Sequence, residues 1–209
     1  MDADRAASRR DPASAALARG AIVLARHGET DANGRGVFIG RNNDVELNAT
    51  GRAQARRLAA HIARRRFARL YTSPLRRAVQ TAEFVAAAAD LELVVDPRLA
   101  ETDVGAWQGR SRDEAKAADP ARYRALRREP GRFGFPRGES LAEHQARVRA
   151  ALSEIAADPS PALVVCHYGT IRCAMALGHP RGLGAWREFR VRHGALVALP
   201  EAAQMALRR

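Results

Sequence analysis

Lysine is nearly missing from this sequence. Lys116 is the only one among 35 basic side chains, so the formal charge of +12 is carried by arginine. Those arginines run along the whole chain, many on the polar faces of predicted helices, as at Arg56, Arg57, Arg64, Arg65 and Arg66. A nucleic-acid surface gathers positive charge into a stripe, whereas this spread describes a solvated basic exterior and disfavours nucleic acid as a partner. Cysteine is scarce too: Cys166 and Cys173 lie seven apart and fit neither a Cys-x-x-Cys pair nor a zinc site. That excludes a disulfide framework and suits reduced thiols in a cytoplasmic setting. No apolar run approaches the roughly 20 residues of a membrane-spanning helix, and the start lacks the apolar core of a secretory signal. It is Ala-, Arg- and Ser-rich like a transit peptide, but Asp2, Asp4 and Asp11 oppose that reading, so residues 1–20 are expected to be a mobile leader. The histidines and carboxylates show no metal-ligand spacing such as His-x-x-x-His, and no metal or other cofactor is expected.

What remains, residues 21–209, suits one domain with a substantial core. Short apolar runs at Ala21 to Ala25, around Leu70-Tyr71, at Leu91 to Val95 and at Pro161 to Cys166 read as strands, the first and last as buried ones. Helical spacing is predicted over Thr50 to Arg66 with Thr50 as cap, Pro74 to Ala89, Arg112 to Arg128, and Leu141 to Ala157. Strands alternating with helices predict an α/β three-layer sandwich with a mostly parallel central sheet. Ligands of such sheets sit beyond the carboxyl ends of the strands. Three predicted strands end in reactive-looking runs: Arg26-His27, Thr72-Ser73 leading to Arg76-Arg77, and His167-Tyr168-Gly169.

Taken together, these runs carry a resemblance. Arg26-His27-Gly28-Glu29-Thr30-Asp31-Ala32-Asn33 resembles the Arg-His-Gly-x-Thr-x-x-Asn signature of the histidine phosphatase superfamily, in the branch of cofactor-dependent phosphoglycerate mutases and their phosphatase relatives. Gly40 to Leu47 and Gly51 to Ala55 resemble its next loop and helix, and Thr72 to Ala82 its second arginine motif. Leu99 to Gly109 resembles the acidic loop, and Val165 to Arg172 the second histidine motif. The five matches occur in order and span residues 21 to 199. The resemblance implies a phosphoglycerate mutase-like fold.

It also implies a site. A phosphate monoester is a dianion whose leaving oxygen needs a proton, so fixed positive charge and a proton donor must meet at one place. Arg26, Arg77 and His167 are expected to hold the nonbridging oxygens, the fork of an arginine suiting two oxygens at once. His27 is expected to attack, kept neutral by the guanidinium charges around it, and Glu101 to protonate the leaving oxygen. The family places its second arginine directly before Ala, which selects Arg77 over Arg76. Thr30 and Asn33 are expected to touch phosphate or position His27, and Gly169 to offer a backbone donor. His61, His144, His179 and His193 read as structural or surface residues, and Trp107 as equally suited to core or site. Tyr168, where relatives often carry Gly, could narrow the pocket, stack on substrate or simply pack, with packing favoured.

The expected activity is metal-independent hydrolysis of a small phosphorylated metabolite through a phosphohistidine, with a homodimer allowed for. The run Phe135 to Ser140 resembles the Pro-x-Gly-Glu-Ser of the phosphatase branch, and the chain is short where mutases carry an insertion. Both features favour hydrolysis over a phosphoglycerate mutase reaction. A noncatalytic phosphate- or nucleic-acid-binding protein, prompted by the charge, would need neither nucleophile nor acid.

Overall fold

The computed structural model of the protein describes residues 22–208. The leader expected at residues 1–20 and the first residue of the first predicted strand, Ala21, lie outside the described residues. Strand β1 (Ile22–Arg26) runs parallel to the last buried strand (Ala162–Cys166), in register from Ile22 opposite Ala162 to Arg26 opposite Cys166. Between them in sequence come β2 (Arg69–Thr72) and β3 (Leu93–Val95), which makes Ala162–Cys166 β4. A short β5 (Leu196–Ala198) pairs antiparallel with β1 and completes the order β3-β2-β4-β1-β5. All other pairings are parallel.

Strands β1 and β4 are apolar throughout their buried length because both faces are covered. Val23, Ala25, Leu163 and Val165 point to one side, where Leu58 and Ile62 of α2 (Ala49–Ile62) and Ala78, Ala82 and Val85 of α3 (Arg76–Ala89) meet them. The short α1 (Asp31–Gly34) precedes α2. Ile22, Leu24, Ala162, Val164 and Cys166 point to the other side. There they meet α6 (Leu141–Ala157), α7 (Tyr168–Ala176) and α8 (Glu201–Leu207). The molecule is therefore an α/β sandwich of three layers on a mostly parallel sheet. Truncating a fully buried centre such as Leu163 to Ala should cost about 2–5 kcal/mol. A third cluster joins Trp107, Phe133 and Phe135, with Phe133 and Phe135 edge-on at 4.9 Å, so Trp107 is a core residue.

The structure corrects several boundaries. The cap of α2 is Asn48, whose side chain accepts from the Gly51 amide at 2.8 Å, and Thr50 lies inside the helix. Helix α3 starts at Arg76, two residues after Pro74. The predicted helix 112–128 is two, α4 (Arg112–Ala118) and α5 (Pro120–Arg128), broken because Asp119 precedes a proline and leaves helical geometry to cap the second.

Candidate active site

The carboxyl ends of β1, β2 and β4 converge. Beyond β1, the His27 amide donates to the Cys166 carbonyl at 3.0 Å, tying the first loop to the end of β4. His27 is 3% exposed, and its Nδ1 lies 2.6 Å from the Gly28 carbonyl. A carbonyl only accepts, so the ring proton sits on Nδ1 and Nε2 keeps its lone pair. Burial, then the charges of Arg77 and Arg26, hold His27 well below the usual histidine range, so the ring is neutral at neutral pH. The Gly28 amide donates to Thr81 Oγ1 at 3.0 Å, and Gly28 packs so closely on Gly51 that a Cβ on either would strike backbone.

Past β2, Arg77 and Arg76 part company as neighbours on a helix must. Arg77 is 1% exposed and donates to the carbonyls of Asn43 at 3.0 Å and Gly40 at 3.3 Å, while Arg76 reaches outward to Glu46. Arg26 donates to the Val191 carbonyl at 2.7 Å, and its buried Nε has no partner. Burial lowers Arg26 to about 10, with Glu101 opposing the shift, and lowers Arg77 in the same way; both stay charged at neutral pH. His167, at the end of β4, is fully buried. Its Nε2 lies 2.6 Å from Ser73 Oγ, its Nδ1 is unpartnered, and its ring centre is 5.1 Å from that of His27. Burial and then Arg77 keep it neutral too.

Glu101 is 9% exposed. Its Oε2 accepts from the Gly169 amide at 3.1 Å and its Oε1 from the Thr102 amide at 2.9 Å. Arg147 fixes the loop from behind, donating to the carbonyls of Ala100 and Glu101 while paired with Glu139 at 2.7 Å. Thr30 and Asn33 form a capping box at the start of α1, where Asn33 Oδ1 accepts from the Thr30 amide and hydroxyl. Thr30 thus braces the loop, and Asn33 faces a cavity of about 360 Å³. Arg26, Glu101 and Gly169 line the same cavity, whereas His27, Arg77 and His167 are buried and do not line it.

The sequence reading weighed His193 and Tyr168 but favoured structural or packing roles for both. The His193 ring stands 5.7 Å from His27 with a buried, unpartnered Nε2, and burial, then Arg26, lower it to about 4. The available signal was Gly194, whose positive φ lets the chain turn back to donate to the Arg26 carbonyl. Tyr168, expected to pack, instead lines the cavity with its ring against Arg26, 4.7 Å from the guanidinium carbon. Among the described residues no group of three or more histidine, cysteine or acidic side chains is placed to hold a metal ion.

Residues 22–204 match the model of the histidine phosphatase superfamily (branch 1). Phosphoserine phosphatase 1 of Hydrogenobacter thermophilus is 35% identical over 134 residues, 64% of this chain and 63% of that one. Several curated mycobacterial relatives are covered over only 45% of their length, so the chain spans less than two thirds of these proteins. Among solved structures, a mycobacterial glucosyl-3-phosphoglycerate phosphatase superposes with a TM-score of 0.74 at 31% identity, covering 83% of this chain and 86% of that one. The α-ribazole phosphatase of Shigella flexneri gives 0.73 at 30% identity, covering 85% and 88%.

Proposed function

From the premise that this chain belongs to the histidine phosphatase superfamily, we propose that it is a metal-independent phosphomonoesterase acting on a small phosphorylated metabolite through His27. The observation that carries this reading is the neutral His27 ring, its proton committed to the Gly28 carbonyl and its other nitrogen available beside the guanidinium groups of Arg26 and Arg77, which form no ion pair among the described residues. Arg26, Arg77 and the free Nδ1 side of His167 hold the nonbridging oxygens, and the Asn33 amide adds a donor. The lone pair on His27 Nε2 attacks phosphorus in line. As the P–O ester bond breaks, the leaving oxygen takes a proton from Glu101. Water then attacks the phosphohistidine and gives a proton to the Glu101 carboxylate, and the P–N bond breaks to release phosphate and restore His27. The two backbone amides that donate to Glu101 hold its carboxylate in position, which supports giving it both transfers.

The phosphatase names among the relatives support hydrolysis, as does the resemblance of Phe135 to Ser140 to the Pro-x-Gly-Glu-Ser run of the phosphatase branch. The test is turnover of an aryl phosphate in the presence of EDTA by the wild type and by His27→Ala. Activity in the first and almost none in the second is expected; metal-dependent activity surviving in the variant would sink the proposal. Isomerisation of 3-phosphoglycerate faster than phosphate release would replace it with a mutase.

A further inference from the structure

The cavity is far more positive than one phosphate requires. Six arginines line it, Arg26, Arg112, Arg127, Arg172, Arg187 and Arg190, against a single acid, Glu101. Among the described residues none of the six forms an ion pair, whereas arginines elsewhere do: Arg98 with Asp96 and Glu154, Arg147 with Glu139, Arg181 with Glu188. Among the described residues Arg56 and Arg57 also lack an ion pair but stand on the exposed surface, whereas these six converge on one cavity.

Arg172 is the most telling of the six. It lies on α7 one turn after Tyr168, only 6% exposed, and among the described residues its one hydrogen bond runs from Nε to the Phe189 carbonyl at 3.1 Å. Burying a guanidinium with no counter-charge is costly. Two rings offset part of that cost, the guanidinium carbon standing 4.4 Å from the centre of Tyr168 and 4.0 Å from that of Trp186. Tyr168 also meets Arg26, so the arginine assigned to the phosphate and Arg172 stand at the same aromatic ring. Burial brings Arg172 down to about 10, with Arg190 and Arg187 adding to the shift against the opposing pull of Tyr168 and Glu101, and it stays charged at neutral pH. A guanidinium held against two rings, charged and without a carboxylate partner among the described residues, is prepared for an anion.

Resting on the phosphatase reading above, we infer that the substrate carries a second anionic group, a carboxylate or a further phosphate, bound by Arg172 with Arg187 and Arg190 at the Tyr168 ring that Arg26 also meets. Phe38, Tyr123 and Leu126 supply apolar wall for the body joining the two anions. The volume of about 360 Å³ leaves room for such a body beyond a lone phosphate.

A matched three-carbon series tests this: 3-hydroxypropyl phosphate with a neutral tail, 3-(phosphonooxy)propanoate with a carboxylate, and propane-1,3-diol bisphosphate with a second phosphate. The wild type should prefer at least one anionic tail by about tenfold or more in kcat/KM, chiefly through KM. The preferred arm identifies the anion. The ratio of anionic to neutral substrate should fall toward unity in Arg172→Gln, and partly in Arg190→Gln, whose exposed side chain makes folding safe. Calorimetry on His27→Ala reads the same series without turnover. Anionic preference there sustains the site even if no phosphate is released, which would fault only the phosphatase reading. No preference in binding or in kcat/KM, or a preference unmoved by both substitutions, would overturn the inference.

Discussion

Thr102 Oγ1 lies 2.8 Å from Nδ1 of His144, and the opposite face of that imidazole, Nε2, lies 3.2 Å from Thr170 Oγ1. One buried ring thus joins the acidic loop to α7. Thr170 spends its proton on the Ala100 carbonyl at 3.1 Å, so it accepts from Nε2–H, and the Thr102 hydroxyl donates to Nδ1. The Thr102 hydroxyl thus stands between His144 Nδ1 and Glu101 Oε1, 3.3 Å away, and the buried ring fixes the residue against which the carboxylate rests. Burial, then Arg147, keeps His144 neutral as this pattern needs.

Replacing His144 with Phe should therefore act twice. Two buried hydroxyls lose partners, costing about 1–3 kcal/mol in urea unfolding. The acid loses its support, lowering kcat by about tenfold, a part of the roughly 10²–10⁴ that a positioned acid supplies. Unchanged kcat in a stably folded variant would remove His144 from the account.

Gly169 tests the placement of Glu101 from the other side. Its amide donates to Oε2, and a Cβ there would fall on Oε1. Gly169→Ala must displace the carboxylate, so kcat should drop by more than about tenfold while stability changes by about 1–3 kcal/mol, the usual cost of overpacking. An alanine variant as active as wild type would show that Glu101 tolerates displacement.

Three fully buried histidines, His27, His144 and His167, are held neutral chiefly by burial. The unfolded chain protonates each near pH 6.5 while the native protein does not, so the stability they contribute is complete above about pH 6.5 and declines as pH falls below it. The decline is about 1.4 kcal/mol per pH unit for each histidine, or about 4 for the three together. Urea unfolding at about pH 7.5 and 5.5 measures it, and equal stabilities at the two values would contradict the neutral assignment.

Much of this was legible in the residues. The buried strands announced themselves as apolar runs, and strand ends rich in Arg, His and Ser marked the site because a parallel sheet gathers them on one edge. Arg77 could be separated from Arg76 only through the resemblance, which places the arginine directly before Ala78; helix geometry alone says that the two point apart. Less legible were features set by long-range packing. The edge strand Leu196–Ala198 and helices α7 and α8 are too short to assert a period. His193 gains its meaning only where the chain folds back on Arg26, and Tyr168 only once Arg26 and Arg172 stand at its ring. His144 and Arg147 look like ordinary helical residues until α6 docks behind the acidic loop.

The central claim is a covalent one, and trapping it is the most direct test. Wild-type protein mixed with an aryl phosphate and quenched in alkali, where a phosphohistidine survives, should carry one acid-labile phosphoryl group on the peptide containing His27. His27→Ala should carry none, and Glu101→Gln should accumulate it, because water attack loses its base. Turnover without a phosphoryl group on His27, or with the group on another residue, would contradict the account.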